Sequence, residues 1–348
     1  MIGSTSMQRN IRKLNPPRRA ALSLTLALAC LASGQEALAC AACGHTLSKD
    51  WDNQGITSKP GFSADLSYDY LNQNQQRYGS SKAAGALIDA LNLAGQEIEA
   101  FTKTQTLTAT LNYTGENIGV SVQLPFVNRT HGTYGEGPAP IGSSYLASSD
   151  NSLGDVRIIG RYTGFSAEKT SGIIAGLKLP TGNTNAYFSD GVTPLDAGLQ
   201  IGTGSTDLIF GGYTSGAMDQ FGWFAQATVQ HAMTTDIVSG GDYRPGDAYS
   251  LNTGIRYAQF GAKVTPMLQL NIIKRQADSG LLTVPADPIT GVPVSGGTLA
   301  YLAPGVSVRV GGGTSVYGFV QLPVYQSVNS LQITPQYTLT LGVRQSFE

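Results

Sequence analysis

Gly61-Phe62-Ser63-Ala64-Asp65-Leu66-Ser67-Tyr68-Asp69-Tyr70-Leu71 alternates residue by residue. Phe62, Ala64, Leu66, Tyr68 and Tyr70 share one parity; Ser63, Asp65, Ser67 and Asp69 share the other. In an extended chain successive side chains point to opposite faces, so this stretch reads as a strand with one apolar and one polar face. The same pattern recurs along the chain as far as Tyr337, Leu339, Leu341 and Val343, which end on Phe347, and no stretch between carries a helical period. Strands of about ten residues tilted by about 45° match a bilayer core and alternate between lipid and lumen. The expectation is an all-β fold, a transmembrane antiparallel up-and-down β-barrel of about 12 strands with its long loops on the extracellular rim.

Composition agrees. Of 348 residues, 43 are Gly, and only 22 are basic and 23 acidic. Half of every strand faces water, so a 41% hydrophobic fraction is what a barrel needs. A helical membrane protein requires runs of about 20 apolar residues, and the region after residue 39 has none. The 16 Tyr suit aromatic girdles at the two membrane interfaces.

The first 39 residues read as a secretory signal peptide: Arg9, Arg12, Lys13, Arg18 and Arg19, then an apolar core from Ala20 to Ala32, then an Ala37-Leu38-Ala39 cleavage site. Cleavage there removes five basic residues and Glu36, leaving 17 basic and 22 acidic residues and a net charge of −5. Cys40 becomes the first mature residue; Ala37 stands where a lipobox wants Leu, which argues against lipidation. Residues 40–60 show no sustained alternation and read as a periplasmic leader, and 61–348 as the barrel.

Twelve strands are expected near 61–71, 102–114, 118–128, 154–165, 172–180, 205–215, 222–233, 247–258, 263–274, 298–310, 315–326 and 335–347. Their connections alternate between short and long, which puts both chain ends on the periplasmic side. A loop that hides a hairpin would make the number fourteen. Residues 72–101 hold a short helical stretch, Ala83 to Glu99, which would constrict the mouth or cap the barrel. Asp190, Asp196, Asp236 and Asp242 read as solvated loop charge, with divalent cations or lipopolysaccharide as the alternative.

Strand parity assigns the lumen. Lys103, Arg157, Arg161, Lys178, Arg256, Lys263, Arg309 and Arg344 are expected to face inward, with Asp65, Asp69 and Asp155 among them. Such a net-positive lumen would either select anions or form Arg–Asp ladders that brace a closed interior. Leu107, Leu111, Val120, Val122, Ile158, Leu177, Leu251, Leu268, Leu270, Leu339 and Leu341 should face lipid.

The leader Cys40-Ala41-Ala42-Cys43-Gly44-His45 carries the chain's concentrated chemistry. Haem attachment needs His directly after the second Cys, and Gly44 intervenes. Cys40 and Cys43 could form a disulfide in the oxidising periplasm, bind zinc or copper together with His45, or stay as free thiols. No other cofactor is implied. With His45, His131 and His231 alone after cleavage, and no nucleophile or paired-carboxylate motif beside them, an enzyme is not expected; nor is there a basic patch for nucleic acid.

Three stretches resemble a family of outer-membrane transporters named after the meta-pathway of phenol degradation. They are Leu177-Lys178-Leu179-Pro180-Thr181-Gly182-Asn183, Leu199-Gln200-Ile201-Gly202-Thr203-Gly204-Ser205-Thr206-Asp207 and Tyr301-Leu302-Ala303-Pro304-Gly305. That resemblance implies a barrel passing small, perhaps aromatic, molecules and supplies no catalytic residues. The Cys-x-x-Cys leader is similar to those of some barrels that sheath electron-carrying cytochromes. Two functions follow as expectations: a channel or facilitated transporter for small solutes, anionic or aromatic, or a scaffold for a periplasmic redox or metal-handling partner. Outer-membrane lipid, lipopolysaccharide and the barrel assembly machinery are the expected partners in either case.

Overall fold

A computed structural model describes residues 47–347 except 52–53, 56–59, 135–143, 166–167, 258–262 and 281–285. The signal peptide and Cys40, Cys43 and His45 lie outside the described residues. In chain order the elements are β1 (Gly61–Gly79), β2 (Ser81–Lys82), α1 (Gly85–Leu93), β3 (Ile98–Thr114), β4 (Ile118–Tyr134), β5 (Tyr145–Leu153), β6 (Val156–Tyr162) and β7 (Ser171–Leu179). They continue with β8 (Asp207–Met218), β9 (Phe221–Ala232), β10 (Asp236–Val238), β11 (Gly241–Tyr243), β12 (Ala248–Tyr257), β13 (Val264–Arg275), β14 (Gly297–Gly311) and β15 (Thr314–Phe347).

Eleven of these strands close an antiparallel ring, β1 pairing with β15, while β2 and β5 lie outside its path. β15 is 34 residues long because it doubles back. Its residues 314–328 pair with β14 and its residues 331–347 with β1, and Gly318 meets Thr340 and Leu341 across the fold. Ser330, at φ 54°, makes the turn. Counted as staves, the wall therefore has twelve. β5 and β6 are one stave interrupted at Gly154-Asp155, since both pair with β4. β10 and β11 are a hairpin of their own inside an extracellular loop.

The exposed parity is largely apolar. Leu66, Leu107, Leu111, Val120, Ile158, Leu177, Leu251 and Leu341 are all exposed, and none of the residues assigned to lipid from the sequence is buried. Aromatic pairs sit beside the short turns: Phe62 with Tyr113, Tyr162 with Phe165, Phe221 with Tyr257. Tyr and Phe in that position anchor a barrel at the membrane interface. The three successive positive-φ glycines Gly311, Gly312 and Gly313 turn β14 into β15, a conformation L-residues adopt at a cost.

The buried parity is polar. Ser67, Thr102, Thr104, Gln269, Asn271, Gln321, Thr338 and Thr340 are almost fully buried, so the interior is a polar lumen with small apolar clusters. α1 packs Leu87, Ile88 and Leu91 on Tyr78, Ile98, Tyr134 and Leu331, which stand on the outward parity. It braces the outer wall above the membrane instead of narrowing the mouth.

Candidate functional site

Two plugs and a charge cluster fill the lumen. The lower plug is the leader itself. Residues 47–51, 54 and 55 lie in no strand and run inside the barrel. Trp51 is 5% exposed and packs on Met267, Ala303, Tyr317 and Phe319, inward residues of β13, β14 and β15. Lys49 reaches Asp69 at 2.6 Å and Ser67 at 2.9 Å. Arg161 lies 3.6 Å from Asp50 and donates to Thr114. Arg256 donates to the carbonyls of Gln54 and Gly55, and Gln269 to that of Ser48. The segment has polar side chains and one large ring, so it matches a polar lumen with one aromatic pocket.

The upper plug is the loop between β7 and β8. Ala186, Phe188, Leu195 and Leu199 cluster with Leu146. The Phe188 ring stands 6.1 Å from His131, and Arg129 donates to the carbonyls of Leu199 and Gln200 at 2.8 and 2.9 Å. Arg129 and His131 are on the inward parity of β4, so the loop tucks into the mouth. Gln200 staples it through Ala186, Leu195 and Ser239. The β10–β11 hairpin closes over it, Val238 and Tyr243 packing on Ala197.

Between the plugs, at the extracellular ends of β7 and β8, Lys178 is 3.0 Å from Asp207 and 3.3 Å from Asp155, all three nearly withdrawn from solvent. Lys178 also donates to Thr203 and Ser205. Asp155 accepts from the Gly182 and Thr203 amides. Gly182 and Gly202 touch so closely that a Cβ on either would enter the other's backbone. The two glycine-rich stretches singled out in the sequence are thus one structural unit, the base of the upper plug. Asp207, inside the second of them, was missed as a lumen residue; its place opposite Lys178 in the β7–β8 register was the signal.

The remaining assignments divide. Asp65, Asp69, Arg161 and Lys178 are buried on the inward parity, as is Arg344, which donates to Ser63 and pairs with Asp65 across β1 and β15. Arg256 holds the leader, as described. Arg157, on the same parity as Arg161, faces the lumen and interacts with Asp207 and Asp155 of the Lys178 cluster. Lys263 and Arg309 sit exposed at the periplasmic rim. Lys103 is a correction. It is exposed on the parity of Leu107 and Leu111 and lies over the Phe101 ring at 5.3 Å, so it faces out of the barrel. Odd positions of β3 point outward, and a residue cannot share their parity and face the lumen.

Loop carboxylates satisfy their own turns. Asp190 accepts from the Thr193 hydroxyl and the Val192 and Thr193 amides, which hold its pKa below the usual value. Burial pushes Asp287 up, but hydrogen bonds from Ser330, the Thr290 and Ile289 amides and Tyr78 outweigh it and hold the pKa below 3.8. His231 bonds Asp247 at 2.8 Å and faces Arg244. Among the described residues no three His, Cys, Asp or Glu side chains are grouped to hold a metal.

With this geometry in view, the chain was compared with known proteins. No family model matches it, and no curated protein matches its sequence. Solved structures do. It is similar to an outer-membrane channel from Pseudomonas putida F1, at 10% identity and a TM-score of 0.57, over 84% of this chain and 97% of that one. It also matches the toluene transporter TbuX of Ralstonia pickettii, at 13% identity and a TM-score of 0.43, over 84% and 90%. The shared fold joins the apolar belt and the closed ring. The chain is a bacterial outer-membrane β-barrel.

Proposed function

We propose that this barrel is a channel for small solutes, held closed at rest by its leader and its β7–β8 loop. One observation carries the reading: the lumen is blocked by two segments outside the barrel's hydrogen-bonded ladder, while the wall behind them is polar. A barrel built to stay closed would fill its interior with wall side chains. Here the fillers are removable. Arg157, an inward-facing cation, would favour anions entering the opened path. Passage of aromatic solutes, as the resemblance to the phenol meta-pathway family implies, belongs to the same proposal. The test is single-channel conductance of the purified barrel in lipid, with the reversal potential in a salt gradient. Replacing residues 47–55 by a Gly-Ser stretch should raise the conductance; a barrel that stays silent in that variant is not a channel.

A second reading keeps the periplasmic partner. The plug continues upstream into the stretch carrying Cys40 and Cys43, so a redox or metal-handling partner acting there would pull on Trp51. Cys40→Ser with Cys43→Ser, or added reductant, then changes the open probability; an unchanged channel counts against this partner.

A further inference from the structure

We propose that the pocket around Trp51 is the channel's solute site, and that Trp51 is a built-in occupant which a free aromatic solute displaces. This rests on the channel reading. The pocket is aromatic on two sides: the Trp51 ring lies 4.7 Å from Tyr317 at 66° and 6.4 Å from Phe319 at 36°. Edge-to-face and tilted pairs at these distances are the favoured geometry for rings. Met267 and Ala303 complete the apolar lining.

The wall is shaped for these rings. Gly305 lies under Phe319 and Gly342 under Tyr317, so close that a Cβ at either would enter the ring. A glycine inside a strand weakens it and often marks a close approach; two of them seat the two walls of one cage. Polarity is supplied at one edge. The Tyr317 hydroxyl donates to Asp65 Oδ1 at 2.9 Å, while Asp65 Oδ2 and the Trp51 indole nitrogen, both buried, have no hydrogen-bond partner among the described residues. The Oε1 of Gln269, buried beside the leader, has no hydrogen-bond partner among the described residues.

Trp51 is anchored by this pocket and not by a ladder. Its segment is held by side-chain contacts at Ser48, Lys49, Asp50, Gln54 and Gly55. When it leaves, an apolar hole opens in a polar lumen. Its aromatic and apolar walls favour a ring over water, and its polar edge can accept one donor from that ring. The matching ligand is a neutral ring system of one or two cycles bearing a single N–H or O–H donor for the Asp65 edge.

The test uses the full mature barrel in lipid vesicles with Trp223→Phe. Trp223 is exposed on the lipid face, and its removal leaves Trp51 as the only tryptophan. Phenol is titrated while Trp51 emission and its quenching by acrylamide are followed. Expected is a saturable red shift with increased quenching. Cyclohexanol, of similar size and hydroxyl but without a ring current, should need about tenfold more, as should phenol on Phe319→Leu, equivalent to about 1.4 kcal/mol. No saturable shift, equal potency of cyclohexanol, or an unchanged response in Phe319→Leu overturns the proposal. Heat-modifiable migration checks that the variant is folded; should it fail, Met267→Ala replaces it with the same expectation. Conductance of Trp51→Gly is recorded in parallel. Silence there overturns the channel reading, while the emission data still decide whether the pocket binds a ring.

Discussion

The Lys49 ammonium lies 2.6 Å from the Asp69 carboxylate, joining the leader to the first stave inside the barrel. Asp69 is held in turn by the Thr340 hydroxyl at 2.6 Å on the closing stave. The contact therefore spans the seam where β1 meets β15.

Breaking it should free the plug without harming the wall. A hydrogen bond to a charged group contributes about 1.5–3 kcal/mol, enough to move a marginal docking equilibrium by an order of magnitude. Lys49→Met is expected to raise open probability and to make the leader sensitive to protease added from the periplasmic side. Unchanged conductance and protection would mean that Trp51 alone holds the plug.

Lys178 is the opposite case, a buried cation between two buried acids. Lys178→Met leaves Asp155 and Asp207 with Arg157 as the one remaining cation of the cluster. Removing one partner of a buried pair costs about 3–5 kcal/mol. Urea unfolding of the reconstituted barrel should show a loss of that size, partly restored by adding Asp207→Asn. Additive losses in the double variant would separate the two groups.

Ile158 and Arg157 are sequence neighbours on opposite faces. Ile158→Arg places a cation against lipid and should destabilise the barrel by about 2–4 kcal/mol near the midplane. Arg157→Gln should cost less stability than that, since Lys178 still compensates Asp155 and Asp207, and should shift the reversal potential toward cations. Equal stability effects from the two would mean the register of β6 is wrong.

Asp287 ties its loop to Tyr78 of β1 and Ser330 of β15 at 3.0 and 2.8 Å. Its folded pKa lies below the ordinary 3.8, so its contribution is present above that value and is lost as pH falls through the lower folded value. Hydrogen exchange at the Ile289 and Thr290 amides should accelerate only under that acidic condition. In Asp287→Asn the same amides should exchange fast at every pH; persistent protection there would place the anchor elsewhere.

Much of the wall was legible residue by residue. A period of two is a local property, so Phe62 to Tyr70 and Tyr337 to Val343 declare their faces without knowledge of their partners. The ends of strands were less legible. β1 runs on to Gly79 and β3 begins at Ile98, where Asn, Gln and Glu replace the apolar residues. Above the membrane no lipid imposes an apolar face, so the alternation fades while the ladder continues. Lys103 fell in that zone. The parity assignment placed it in the lumen, but it shares the parity of Leu107 and Leu111, and exposure to water above the bilayer satisfies an ammonium there.

What the chain by itself determined was a closed, polar-cored barrel, because lipid contact and backbone hydrogen bonding leave an alternating sequence no other stable arrangement in a membrane. What only the tertiary structure decided is what fills it. Trp51 meets Tyr317 and Phe319 across more than 250 positions of chain, and Gly182 meets Gly202 only when β7 and β8 stand side by side. Neither contact has a period, since a plug is recognised by the shape and charge of a cavity that exists only after the ring has closed.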